Sequence, residues 1–476
     1  MPSTTALTPL LLLALAGCWG DSPTPAPSKN GAAANADDQV SRAEMRQKRQ
    51  ERAERRRNAS EARPKGQPGV QNVIFVVMDT VRSESLSLCD YDRPTSPFLE
   101  HLKNKTGAAT TCRAYSPGTW TIPSHASYFT SLDVPAHGVS SMGRVFGNDT
   151  PVLSEMMSDQ GYQTVMVSAN PTLSRRSGLQ RGFEYARTAK NLTELRGEKT
   201  VRAVNKLLKN LSPREPLFLF VNLIDAHDPY PAVPNNISWV PERPELKFDV
   251  HRATLDTPYH RYIKGEMEEE EAEAYLAAIT DGYDYGISLA DKNLEGLMEY
   301  LRGEGWLKNG FRLIITSDHG EFLGEHQLLR HGCYTHEPVV NVPFVFYDSE
   351  AETQIELPEP FSATNAFYLA RDGKLPTSPT PVSSFSMRRK LDVKKGADMA
   401  TLWHDDEKVF WREGDLLRVD LNEDPGELRP EALGDHRLKE DVVALGERHT
   451  AHLRSGANQA EDAQRRAELE ALGYVE

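Results

Sequence analysis

Three apolar runs in this sequence end abruptly in carboxylates and imidazoles. Residues 73–78 lead into Asp79, residues 217–224 into Asp225-Ala226-His227-Asp228-Pro229-Tyr230, and residues 313–316 into Ser317-Asp318-His319-Gly320-Glu321. Each ending alone has an ordinary explanation. An Asp after a strand commonly caps a helix, and a solitary His is usually a satisfied polar residue. Three such endings at equivalent places differ, because carboxylates and imidazole gathered at one rim make a site for a divalent cation. A fourth segment, Gly118-Thr119-Trp120-Thr121-Ile122-Pro123-Ser124-His125, adds a hydroxyl. Pro123 suits the first turn of a helix running through Ser131. Thr121 then stands just before that helix, near the positive end of its dipole, where an anionic ester is also drawn. The plainer alternative makes Thr121 an ordinary N-cap.

The elements that would position these residues alternate in type. Residues 73–78 form a continuous run rich in β-branched side chains, the pattern of a strand buried on both faces of a parallel sheet. Residues 164–168, 217–224 and 313–316 look alike, and 343–347 make a fifth. Helical patterns fall between them, at 96–105, 151–160, 193–211 and 266–301. The glutamates from Glu266 to Glu273 open the last of these, where the dipole favours negative charge, and read as a solvated first turn rather than a metal cluster. Alternation of this kind predicts an α/β fold with an open, doubly wound, mostly parallel sheet flanked by helices. Ligands of such sheets bind at the carboxyl ends of the strands. Residues 70–375 are assigned to this catalytic domain. Residues 376–476 form a small C-terminal subdomain, with short strands at 408–411 and 415–421 and charged helices from Leu438.

At these residues the sequence resembles the sulfatase family of the alkaline phosphatase superfamily. The likeness runs through residues 72–82, Tyr91-Asp92-Arg93-Pro94-Thr95-Ser96-Pro97, residues 120–125 continuing to His137-Gly138-Val139, residues 225–230 and residues 317–326 with His331-Gly332. It closes on Asn422-Glu423-Asp424-Pro425-Gly426-Glu427. The resemblance implies that Asp79, Asp318 and His319 hold a metal, and that Thr121 is nucleophile and fourth ligand. It implies that His125, His227 and His331 contact the transferred oxyanion or protonate the leaving oxygen. One divalent ion is expected (Ca²⁺, Mn²⁺ or Zn²⁺), with Asp225, His227 and His331 as candidates for a second. Two positions depart from the family. Most sulfatases carry at position 121 a Cys or Ser that is converted to formylglycine, and an Arg at position 125. Threonine cannot give that aldehyde. Thr-x-Pro-x-His resembles instead the nucleophile loop of phosphodiesterase and phosphotransferase relatives, and Thr80 replaces a second metal-binding Asp. Both changes favour a phosphoric over a sulfuric ester as the anionic substrate, with hydrolysis as the default outcome. A phosphotransferase with the same site and a catalytically inert metal-binding lipoprotein are the alternatives.

The remaining signals concern location. Residues 10–16 are apolar but too short to span a bilayer, and they end in Leu15-Ala16-Gly17-Cys18, which resembles a bacterial lipobox. Residues 1–18 are thus expected to be a lipoprotein-type signal whose Cys18 anchors the protein in the bacterial cell envelope. Residues 19–69 lack the apolar content to fold alone and read as a partly basic tether. Residues 42–65 hold ten Lys or Arg against four Glu, although the whole chain carries a net charge of −14. The body after residue 65 is therefore strongly acidic, which argues against nucleic acid as a partner. Cys89 and Cys112 could pair in an exported protein, but buried free thiols are the expectation.

Overall fold

In a computed structural model, residues 70–141, 145–147, 149–241, 258–386, 390–391 and 394–455 are described. The expected signal and tether, residues 1–69, lie outside them. The chain forms β1 (Asn72–Met78), β2 (Ala109–Tyr115), β3 (Gln163–Ser168), β4 (Tyr185–Thr188), β5 (Leu217–Leu223) and β6 (Phe311–Thr316). There follow β7 (Phe322–Leu323), β8 (Leu329–Arg330), β9 (Asn341–Asp348) and β10 (Phe361–Ser362). Apart from the β7–β8 pair, these make one sheet in the order β10-β2-β9-β6-β1-β5-β3-β4. Strands β4, β3, β5, β1 and β6 run parallel. Strand β9, the fifth apolar run of the sequence, is antiparallel to both β6 and β2.

Every residue of β1 is buried, and its side chains alternate between two cores. Ile74, Val76 and Met78 pack in one cluster with Leu294 and Leu297 of the long helix Glu269–Gly303. Val73, Phe75 and Val77 pack in another with Ile122 and Phe129 of the helix Thr121–Thr130. Helices therefore cover both faces, which is why the strand carries no polar alternation. Strands β2 and β4 escaped the sequence reading for the converse reason. Ala109–Tyr115 mixes polar and half-buried positions, and all four residues of Tyr185–Thr188 are half-buried.

The C-terminal part contains β11 (Ser383–Ser386), β12 (Lys390–Leu391), β13 (Lys394–Lys395), β14 (Met399–His404), β15 (Glu407–Arg412), β16 (Asp415–Asp420) and β17 (Glu431–Ala432). Five of them form an antiparallel sheet ordered β11-β14-β15-β16-β17. The helix Lys439–Ser455 lays Val442 and Leu445 on it, against Val409 and Ala400. Phe385 of β11 bridges to Gly118, and its N–H donates to Pro117 O at 3.1 Å, so this sheet abuts the segment that leads to Thr121.

One expectation is overturned. Cys89 and Cys112 are not free thiols but a disulfide, with Cα atoms 5.8 Å apart. Their separation of 23 residues carries no pairing signal. Only the folding of the 83–89 turns against β2 brings the two sulfurs together. Cys333 is a buried free thiol.

Candidate active site

Four strand ends and one helix start meet at the carboxyl edge of the sheet. Asp79 follows β1, and Thr80 after it adopts a left-handed conformation (φ 64°) that Tyr283 Oη secures by donating to its carbonyl at 2.7 Å. Beyond β6, Tyr128 Oη donates to Ser317 O at 2.7 Å, and Asp318 and His319 follow directly. Glycine is required next: a Cβ on Gly320 would lie 2.2 Å from Pro338 O. Gly286 of the long helix plays the same part beneath the third strand end, where a Cβ would come within 2.5 Å of Asp225 O. Thr121 corrects one detail of the sequence reading. Trp120 is the extended N-cap (φ −163°, ψ 170°) and Thr121 is the first helical residue.

Asp79, Asp318 and His319 are buried, and each offers a ligand atom within 4.8 Å of the others. Their remaining atoms are held by the fold. Asp79 Oδ2 accepts from Asn170 Nδ2 at 2.8 Å and Asn222 Nδ2 at 2.9 Å, whereas Asp79 Oδ1 makes no hydrogen bond. Asp318 Oδ1 accepts the backbone N–H of Thr80 at 3.2 Å and of His319 at 3.1 Å. Asp318 Oδ2 faces His319 Nε2 at 3.4 Å. His319 Nδ1 is 3.0 Å from Gly320 O, an acceptor only, so the hydrogen sits on Nδ1 and Nε2 carries the lone pair. Burial, with Asp318 adding repulsion, pushes the Asp79 carboxyl up to about 6. Burial likewise pushes Asp318 up to about 7. Two carboxylates desolvated side by side, with an orphaned oxygen and an imidazole lone pair between them, fit a divalent cation that would compensate both. Thr121 Oγ1 lies beside this group, because the same Asn170 Nδ2 that bonds Asp79 also donates to it at 3.1 Å.

The expected histidines occupy two different places. His227 and His331 have ring centroids 5.3 Å apart, and His331 lies 4.2 Å from His319, so these three line one side of the site. His331 Nδ1 is 3.0 Å from Glu321 Oε1, and Tyr230 Oη donates to Glu321 Oε2 at 2.8 Å. His125 instead sits under the site. Its Nδ1 donates to Thr121 O at 2.8 Å and stands 3.6 Å from Asp318 Oδ2, and its ring packs edge-on against Phe220. Burial takes its pKa down to about 3. Asp225 Oδ1 accepts from Gly197 N at 2.8 Å. Among the described residues, Asp225, His227 and His331 are not gathered into a three-ligand group.

Sequence reasoning missed Asn170 and Asn222 as members of the site, and placed Glu321 at the rim without a role. Asn170 lies two residues past the end of β3, and an amide does not advertise a metal site. A second group also went unseen, half-buried His326 with buried His336 and Glu427. Lys408 Nζ lies 2.6 Å from Glu427 Oε1, so an ammonium already neutralises the carboxylate a cation would need.

The family model for sulfatases matches residues 71–370. No curated protein sequence matches the chain. Among solved structures the fold is similar to that of a protein in complex with its substrate D-glucosamine-2-N,6-O-disulfate. The TM-score is 0.61 at 14% identity, over 81% of this chain and 99% of that one. It is also similar to the phosphonate monoester hydrolase of Agrobacterium radiobacter, at TM-score 0.59 and 16% identity over 81% and 96% of the two chains. The Silicibacter pomeroyi phosphonate monoester hydrolase gives 0.57 and 16%, over 80% and 95%. With more than half its length matched by that model, this chain belongs to the sulfatase family and is an ester-hydrolysing enzyme.

Proposed function

We propose that the protein hydrolyses phosphoric esters at the cell envelope, with Thr121 as a direct nucleophile. Sulfatase-family enzymes generally hold a divalent metal, and here Asp79, Asp318, His319 and the Thr121 hydroxyl would hold it. The observation that carries the reading is the Thr121 oxygen beside two buried carboxylates whose pKa values are raised and whose charges need a cation. When bound, the cation lowers the pKa of the Thr121 hydroxyl and shields it from the anionic ester. Mn²⁺ or Zn²⁺ suits the imidazole better than Ca²⁺ does. The Thr121 hydroxyl would give its proton to water before attack. Thr121 Oγ then bonds to phosphorus as the bond to the leaving oxygen breaks. His331, whose Nδ1 is engaged by Glu321, supplies the leaving oxygen with a proton from Nε2. His227 lies close enough to share that duty. A water molecule, giving a proton back to His331, attacks phosphorus and frees Thr121. His125, beneath Asp318, orients that ligand and the first turn of the Thr121 helix.

Phosphorus is preferred to sulfur because threonine cannot become the aldehyde hydrate that sulfuryl transfer in this family uses. Export is supported by the Cys89–Cys112 disulfide, since such bonds persist in oxidising compartments. Cys18 remains the proposed lipid anchor. The test is turnover of p-nitrophenyl phosphate, bis(p-nitrophenyl) phosphate and p-nitrophenyl sulfate with added Mn²⁺, Zn²⁺ or Ca²⁺. Phosphoester turnover that disappears in Thr121→Ala is expected. Sulfate-ester turnover alone would refute the preference for phosphorus, and an undiminished Thr121→Ala would refute the nucleophile.

A further inference from the structure

The geometry points to Asn170 as a further catalytic residue: its side-chain amide holds the Thr121 oxygen before attack and a non-bridging oxygen of the ester during it. This rests on the reading of Thr121 as nucleophile.

Asn170 is fully buried, and its orientation is fixed from behind. Its Oδ1 accepts from Thr172 N at 2.9 Å and Thr172 Oγ1 at 2.7 Å. Turning the amide over would set its NH₂ against that backbone N–H and leave a carbonyl oxygen facing the Asp79 carboxylate. The NH₂ therefore points into the site. Its main chain is fixed too, because Asn170 N donates to Ser168 Oγ and to Asn222 Oδ1, both at 3.0 Å. Asn222 in turn donates to Asp79 Oδ2 at 2.9 Å. The two amide hydrogens thus have separate duties. One goes to Asp79 Oδ2 at 2.8 Å and the other to Thr121 Oγ1 at 3.1 Å.

The second hydrogen is aimed where charge changes. As the Oγ–phosphorus bond forms and the bond to the leaving oxygen breaks, Oγ loses its negative character and the transferred group's own oxygens arrive beside it. A donor already directed there needs no reorganisation during the reaction. An amide also donates without carrying positive charge, so it does not compete with a cation on Asp79. Asn170 exchanges no proton, and the proton balance through His331 is unchanged.

The experiment uses orthovanadate, which takes the five-coordinate geometry of the transferred phosphoryl group, titrated calorimetrically into the Mn²⁺-saturated protein. Asn170→Asp keeps the shape of the side chain but replaces the donor by an acceptor; Asn170→Ala removes it. Both are expected to weaken vanadate by about 100-fold or more, with thermal unfolding checked to show that each variant folds. Loss that vanishes when Mn²⁺ is raised would mean that Asn170 acts only through Asp79, which overturns the proposal. Vanadate binding in Asn170→Ala within about twofold of the wild type, with Thr121→Ala impaired, overturns it while leaving the nucleophile intact. Unimpaired binding in Thr121→Ala removes the nucleophile reading itself. No vanadate binding by the wild-type protein at millimolar concentration overturns the proposal as well.

Discussion

At the scale of single residues, the site is a set of carboxylate and imidazole atoms whose other atoms are already occupied. Asp79 gives Oδ2 to two asparagine amides and keeps Oδ1 orphaned, which leaves one oxygen for the proposed cation. Asn222→Ala is therefore expected to weaken Mn²⁺ binding by about 10–100-fold, the usual effect of removing a partner behind a metal ligand. Asp79→Asn should remove measurable binding, and calorimetry on the chelator-stripped protein checks both. Much of this was legible in the sequence, because Asp79, Asp318 and His319 each terminate an apolar run. The amides were not, since Asn170 and Asn222 have meaning only once their hydrogen bonds are seen. His125 was legible as a member of the motif but not in its placement. A His four residues after Thr121 on a helix turns beneath the first turn, where its Nδ1 meets Thr121 O.

At the scale of elements, each site residue depends on packing that approaches from the opposite side. Phe220 of β5 packs edge-on against His125, Phe75 and Phe129, linking the central strands to the Thr121 helix. Phe220→Ala should cost about 3–5 kcal/mol, as burial of this kind usually does, and chemical denaturation measures it. The C-terminal sheet is clasped through a buried charge. Lys408 of β15 pairs with Glu427 at 2.6 Å and Glu337 at 3.1 Å, and His336 stands 3.2 Å from Glu427. Burial alone would raise the Glu427 carboxyl, but Lys408 and His336 outweigh it and hold the group below the usual glutamate range. The stabilisation that follows is complete above the ordinary glutamate pKa and is lost as pH falls through the lower folded value. Glu427→Gln leaves the ammonium short of a partner and is expected to cost roughly 3–5 kcal/mol at neutral pH. Thermal unfolding across pH should show the two proteins converging only in acid. Parallel strands were readable because burial on both faces leaves unbroken apolar runs. The antiparallel sense of β9 was not, because a buried strand has the same composition in either direction.

For the whole molecule, the disulfide and the cation site tie stability to surroundings. The Cys89–Cys112 bond should contribute about 2–4 kcal/mol, so a Cys89→Ser/Cys112→Ser variant is expected to unfold at correspondingly lower denaturant. In the cation-free protein Asp79 and Asp318 bind protons more tightly than in the unfolded chain. Their ionisation therefore opposes folding, and the melting temperature should fall as pH rises from about 4 through 7. Saturation with Mn²⁺ should remove that fall. The architecture as a whole was legible from the alternation of strand and helix patterns, whereas the disulfide depended on which turn folds against β2. In the proposed reaction Thr121 itself carries the transferred group. This is tested most directly by rapidly quenching the Mn²⁺-loaded protein with a p-nitrophenyl phosphate ester, followed by mass spectrometry of the intact chain and its peptides. One phosphoryl adduct is expected, located on Thr121 and absent from Thr121→Ala. Turnover with no adduct on Thr121, or an adduct on another residue, would contradict it.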